Sequence, residues 1–207
     1  MNHIEFIMKY LFSLAVISML SACNGGAEKK QNDTAAAPLT KNLSLSIGNT
    51  ANASVTAALE AYYQLKDALV EADTVAANRA SISLAMLADS IRLDGVADSI
   101  LLRTVKNFSG TIAAEAIALP QEDNITEKRR SFSMITENFY PLLQSVQYQG
   151  GIVYQQMCPM AFNDNEAAYW LSNSREVVNP YLGKKHPRYS SGMLHCGEVK
   201  DSLNYRK

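Results

Sequence analysis

Apolar residues recur at spacings of three and four along the middle of the chain. Val55, Leu59, Tyr62, Leu65 and Leu69 form one series, and Ala80, Leu84, Leu87 and Ile91 a second. Leu101, Val105, Phe108 and Ile112 form a third, followed by Phe132, Ile135, Phe139, Leu142 and Val146. That period puts each set on one face of an α-helix, so four amphipathic helices are predicted between Ala51 and Val146. Breaks are expected near Asp73-Thr74, at Asp94-Gly95 and from Pro120 to Asn124, where Asn124 with Glu127 three residues later resembles a capping box. Connections this short imply antiparallel neighbours. Pro141 lies inside the fourth series and lacks a backbone N–H, which predicts a kink or an early stop there. The fold class expected is therefore all-α. An antiparallel four-helix bundle occupies 46–149, and an irregular tail containing Cys, Met and His, 150–207, packs on it as part of the same domain.

The pattern differs before the bundle. Lys9 is followed by an apolar run from Leu11 to Leu20, and Leu20-Ser21-Ala22-Cys23 resembles the lipobox of bacterial lipoproteins. A start at Met8-Lys9-Tyr10 makes a better leader than one preceded by Met1 to Ile7, which carries Glu5, and either start yields the same mature chain. The run is shorter than the ~20 residues that span a bilayer, and small residues directly precede the cysteine, which argues against a transmembrane anchor. The expectation is a signal peptide over 1–22, lipidation at Cys23 and a flexible tether over 23–45 that is rich in Gly, Ala, Lys, Gln and Asn. The protein is then held on a membrane of the bacterial cell envelope, facing the periplasm or the cell exterior.

Composition narrows the classes. In 207 residues, 47% are hydrophobic and 19% charged, with a net charge of −1, which fits one globular domain with a tail and argues against a fully disordered chain. So balanced a charge provides no electrostatic footprint for nucleic acid. Three cysteines are too few for a disulfide-built mini-protein. The bundle has no His or Cys, and its acids (Glu60, Asp67, Glu71, Asp89, Asp98, Glu115, Glu137) do not form the Glu and Glu-x-x-His pattern of di-iron bundles. They read as solvated faces.

Soft donors are segregated in the tail. Beyond Gly151 lie Cys158 and Cys196, His186 and His195, Met157, Met160 and Met193, and the only tryptophan, Trp170. Met157-Cys158-Pro159-Met160 and Met193-Leu194-His195-Cys196-Gly197 are two knuckle-like segments, each offering a thiolate and a thioether, the second adding an imidazole. A turn at Pro159 could aim Cys158 and Met160 inward together. Cys158, Met160, Met193, His195 and Cys196 suit a thiophilic ion such as Cu(I); Zn(II) is the alternative, through Cys158, Cys196, His195 and His186. Against either metal stands a plain Cys158–Cys196 disulfide, stabilising the tail by ~3–4 kcal/mol in an oxidising compartment. The methionines are then core filler, Trp170, Tyr154, Tyr169 and Tyr181 pack against the bundle, and His186 sits in an exposed basic loop. With neither Cys-x-x-Cys nor a Ser/His/Asp arrangement, catalysis is not expected, a thiol oxidoreductase using Cys158 being the enzymatic alternative.

Cys158-Pro-Met-Ala, Ala168-Tyr-Trp-Leu-Ser, Asn179-Pro-Tyr-Leu-Gly-Lys and Met193-Leu-His-Cys-Gly together resemble an uncharacterised helical family of envelope proteins. Its members occur as small lipoproteins and as the C-terminal extension of periplasmic adaptor subunits of RND-type heavy-metal (copper and silver) efflux systems. The resemblance is sharp from Cys158 onward and looser over the helices. It implies proximity to copper and no enzymatic activity, and its sulfur motifs fall on Cys158, Met160, Met193 and Cys196. The barrel, lipoyl-like and long-hairpin regions of an adaptor are not matched here. The expected function is capture of Cu(I) for sequestration or hand-off to heavy-metal efflux components, the alternative being a non-catalytic structural or interaction module.

Overall fold

The computed structural model describes residues 48–206. The expected signal peptide over 1–22, the lipidation site Cys23 and the tether over 23–45 lie outside the described residues. Four α-helices come first: α1 (Asn49–Glu71), α2 (Thr74–Asp89), α3 (Ser99–Ala118) and α4 (Ile125–Ser145), with one 3₁₀ turn at Leu119–Gln121. All the residues of the first and fourth apolar series are buried, as are Ala80, Leu84, Leu101, Val105 and Ile112. Among the described residues no helix is long and apolar enough to cross a membrane.

The breaks follow local chemistry. At the first, Ala72 turns left-handed (φ 53°) and Asp73 N donates to Ala68 O, while the Asp73 carboxylate caps α2 through Ala76 N at 2.9 Å. Asp98 caps α3 by accepting from Ile100 N and Leu101 N. Asn124 caps α4 through Thr126 N and Glu127 N; Glu127 instead faces Arg130, at 4.0 Å. α4 does not stop early, running through Pro141 to Ser145.

The all-α expectation is overturned. The segment from 150 onward is not irregular: it builds a three-stranded antiparallel sheet from β1 (Val153–Phe162), β2 (Glu166–Ser172) and β3 (Glu198–Leu203), in the order β2-β1-β3. The fold is thus mixed, four helices with a sheet. Cys158-Pro-Met is likewise not a knuckle; it lies within β1, where the register with β2 shifts between Cys158 and Phe162. That irregularity accommodates Pro159, which cannot donate to a ladder.

The hairpin turn explains the miss. Asn163 and Asp164 both take positive φ (52° and 62°), and Asn165 N bonds back to Phe162 O. Asn and Asp tolerate that conformation better than other non-glycine residues, so Asn163-Asp164-Asn165 between β-formers marks a hairpin.

Sheet and helices share one core. Trp170, Tyr181, Val153 and Cys158 join the same buried cluster as Leu59, Phe132 and Phe139. Tyr62 of α1 stacks on Phe132 of α4 (4.9 Å between centroids), and its hydroxyl accepts from Leu171 N of β2 at 3.0 Å. Edge strand β2 is thereby tied to α1 and α4. Of the aromatics expected to pack, Trp170 and Tyr181 are buried, Tyr154 is half-buried and Tyr169 is exposed.

Candidate functional site: the Cys158–Cys196 pair

Cys158 lies on the central strand opposite Ala168 and is fully buried. Cys196 ends the loop that leads into β3. That loop is clamped by Asn179, itself buried: its N–H donates to Leu194 O (2.8 Å), its Nδ2 to Cys196 O (2.7 Å), and its Oδ1 accepts from Tyr181 N and Leu182 N. Gly197 follows at φ +137°, where a Cβ would stand 2.7 Å from Met157 O and 2.9 Å from the Trp170 ring. Only glycine lets the chain pass this close to β1 and Trp170. Clamp and glycine together bring the two sulfurs, 38 residues apart in sequence, to 3.2 Å.

At this distance the two sulfurs are in contact without a bond between them. Burial, and next the neighbouring Cys158 thiol, push Cys196 up to about 11, because a thiolate there would lose hydration. A metal must therefore displace protons to bind. With thiolate–metal bonds of about 2.3 Å, two thiolates stand roughly 3.8 Å apart on a tetrahedral ion and roughly 4.6 Å apart on a linear one. A disulfide needs about 2.05 Å. From 3.2 Å, chelation with added ligands thus asks for about 0.6 Å of opening, a disulfide for about 1.2 Å of closure and linear coordination for about 1.4 Å of opening.

The other expected donors are placed differently. Met160 and Met193 are half-buried and pack against the shared core. His195 is exposed, with its Nδ1 held 2.7 Å from Val177 O. His186 stacks on the Tyr189 ring in the loop after Tyr181, its Nδ1 facing Arg188 N and Tyr189 N. Among the described residues no group of three or more His, Cys, Asp and Glu side chains gathers to hold a metal ion. The fold thus unites the two thiols. It does not draw His195 and His186 to them, as a closed four-ligand zinc site requires. What converges is two thiols, while Met160 and Met193 pack against the shared core.

Sequence reasoning missed Asn179 and Gly197 as the residues that make the pair. Asn-Pro followed by Tyr-Leu signals a turn, and a glycine directly after a cysteine signals a close approach; neither signal names its target strand.

Residues 58–150, which cover most of the helical part, match the family described as Protein of unknown function (DUF3347). The match ends before β1. No curated protein matches the chain, and no solved structure does.

Proposed function

We propose that this chain is a lipid-anchored protein of the bacterial envelope that takes Cu(I) as cargo at Cys158 and Cys196, for sequestration or hand-off to a heavy-metal efflux system. The observation that carries this reading is the contact between two thiols held 3.2 Å apart by a buried asparagine clamp and a glycine. Preorganised thiols in a sulfur-rich setting select a thiophilic ion, and Met160 or Met193 supplies the further soft donor that the short sulfur spacing favours. The lipobox-like Leu20-Ser21-Ala22-Cys23 supports the anchor. Cu(I) is preferred over Zn(II) because only two charged donors converge. The role is binding, not catalysis.

The test is an anaerobic Cu(I) titration of the reduced full chain against a chromophoric chelator, repeated with Cys158→Ser/Cys196→Ser. One copper per chain, lost in the variant while its helices stay folded, is the expected result. Equal binding by the variant would exclude this site.

The same contact favours a second reading, in which the cysteines form a disulfide that staples the sheet and the protein serves as a structural or docking module. Its discriminating measurement is mass spectrometry of unreduced peptides from protein taken from its native envelope. A Cys158–Cys196 cross-linked peptide supports the staple, and free thiols exclude it.

A further inference from the structure

A second feature lies on the far side of Tyr181, at the start of α4. Arg129 is 3% exposed, yet no carboxylate of a described residue lies within ion-pair distance of it. Its Nη2 donates to Leu69 O at 3.0 Å, near the C-terminal end of α1, and its Nε is buried with no hydrogen-bond partner among the described residues. Nη1 makes no hydrogen bond with a described residue. Gly183, at φ +60°, closes over the guanidinium so tightly that a Cβ there would meet Nη2 at 2.7 Å. Burial draws the Arg129 pKa down to about 10, which leaves it cationic at neutral pH. A buried cation held by one carbonyl is expensive unless something else answers its charge. The α1 carbonyl end supplies only a partial one.

Arg129 lines a cavity of about 460 Å³ together with Thr126, Arg130, Asp164, His186 and Arg188. The other charges there are already matched. Arg130 pairs with Glu166 at 3.0 Å and lies over the Phe162 ring, while Arg188 pairs with Asp164. Arg129 is therefore the uncompensated charge of the cavity. His186 lies beside it: burial, and then the charge of Arg129, lower its pKa and keep the ring neutral. Because Nδ1 accepts from backbone N–H groups, the proton sits on Nε2, and the ring offers the cavity a donor. The Thr126 hydroxyl, in the first turn of α4, bonds to no described residue.

We infer that this cavity is a binding site for a small oxyanion, a carboxylate or phosphate group, whose charge is answered by Arg129 with donors from Thr126 and His186. The first N–H groups of α4 are already taken by Asn124, so the donors are side chains: buried arginine, threonine hydroxyl and neutral imidazole together suit an acceptor-only ligand. The site is separate from the cysteine pair, so it stands or falls independently of the copper reading.

The experiment titrates the isotope-labelled full chain, metal-free, with sodium acetate and with inorganic phosphate at constant ionic strength, sodium chloride being the reference. The readouts are the Thr126 amide and the His186 ring resonances. Saturable shifts are expected with at least one of the two anions, weakened about tenfold in Arg129→Met, the loss expected for one charge-assisted hydrogen bond. His186→Ala, on the cavity rim, is expected to weaken binding without loss of the fold; it decides the matter if Arg129→Met does not fold. Tighter acetate binding identifies a carboxylate ligand and tighter phosphate binding a phosphate one. Shifts that do not saturate, or that match those from chloride, overturn the site, as does saturable binding unchanged in both variants.

Discussion

At the scale of single residues, the cysteine pair depends on a position that carries no reactive group. Gly197 sits where a methyl group would press on Met157 O and the Trp170 ring, at a φ that L-residues rarely adopt. Gly197→Ala should cost about 2–4 kcal/mol of stability, read by urea unfolding, and should move Cys196 away from Cys158. The Cys196 thiol gives a second prediction, in pH. Its folded pKa, about 11, lies above its ordinary value of 9.0, so the unfolded chain gives up this proton first. The stability it contributes is complete below pH 9 and is lost as pH rises toward 11. Reduced parent should lose stability relative to reduced Cys196→Ser across that window; parallel curves would show an unperturbed thiol. Cysteines as candidates were legible from residue type and compartment, whereas their contact was not, since the local sequence around either one holds no record of the other.

Between elements, the joint that seats the sheet on the helices is a hydrogen-bonded chain. Leu171 N donates to the Tyr62 hydroxyl, Tyr62 donates to Thr136 Oγ1 at 2.7 Å, and Thr136 donates to Phe132 O at 3.0 Å. The direction is set at the last link, because the Thr136 proton is committed to the Phe132 carbonyl. Tyr62→Phe leaves a buried backbone N–H without an acceptor and should cost about 1–3 kcal/mol. Adding Thr136→Val should cost less than the sum of the single changes, since the members act as one chain. A double-mutant cycle in urea measures this; strict additivity would mean that the groups act separately. The helices themselves were readable from apolar period and cap residues: Asp98 and Asn124 each stand immediately before a helix and bond to its first N–H groups. The strands were not, because β1 interrupts its alternation with Gln155-Gln156 and Pro159, and the Asn163-Asp164-Asn165 turn lacks the glycine that usually marks a tight hairpin.

For the whole molecule, the shared core predicts one unfolding event. Trp170 is the only tryptophan and reports on the sheet, while far-UV circular dichroism reports mainly on the helices. Because Trp170, Tyr181 and Cys158 are buried with Phe132 and Phe139, the two signals should share one midpoint in urea. Separate midpoints would mean that the sheet folds as a unit of its own. The match to a family of unknown function stops at residue 150, yet the packing does not. The packed unit is thus larger than the matched segment: helices without the sheet would expose Tyr62, Phe132 and Phe139.

The chain by itself determined what is local. Helix faces, caps and breaks follow from residues three or four positions apart, and the soft donors of the tail follow from composition. Tertiary structure decided what joins distant positions: that the tail forms a sheet, that Asn179 and Gly197 bring Cys196 to Cys158, and that Arg129 is enclosed by the Gly183 loop without a carboxylate from any described residue. The reason is physical. Periodicity and capping are short-range energies, whereas strand pairing, thiol contact and the burial of a charge depend on which distant segments the shared core draws together.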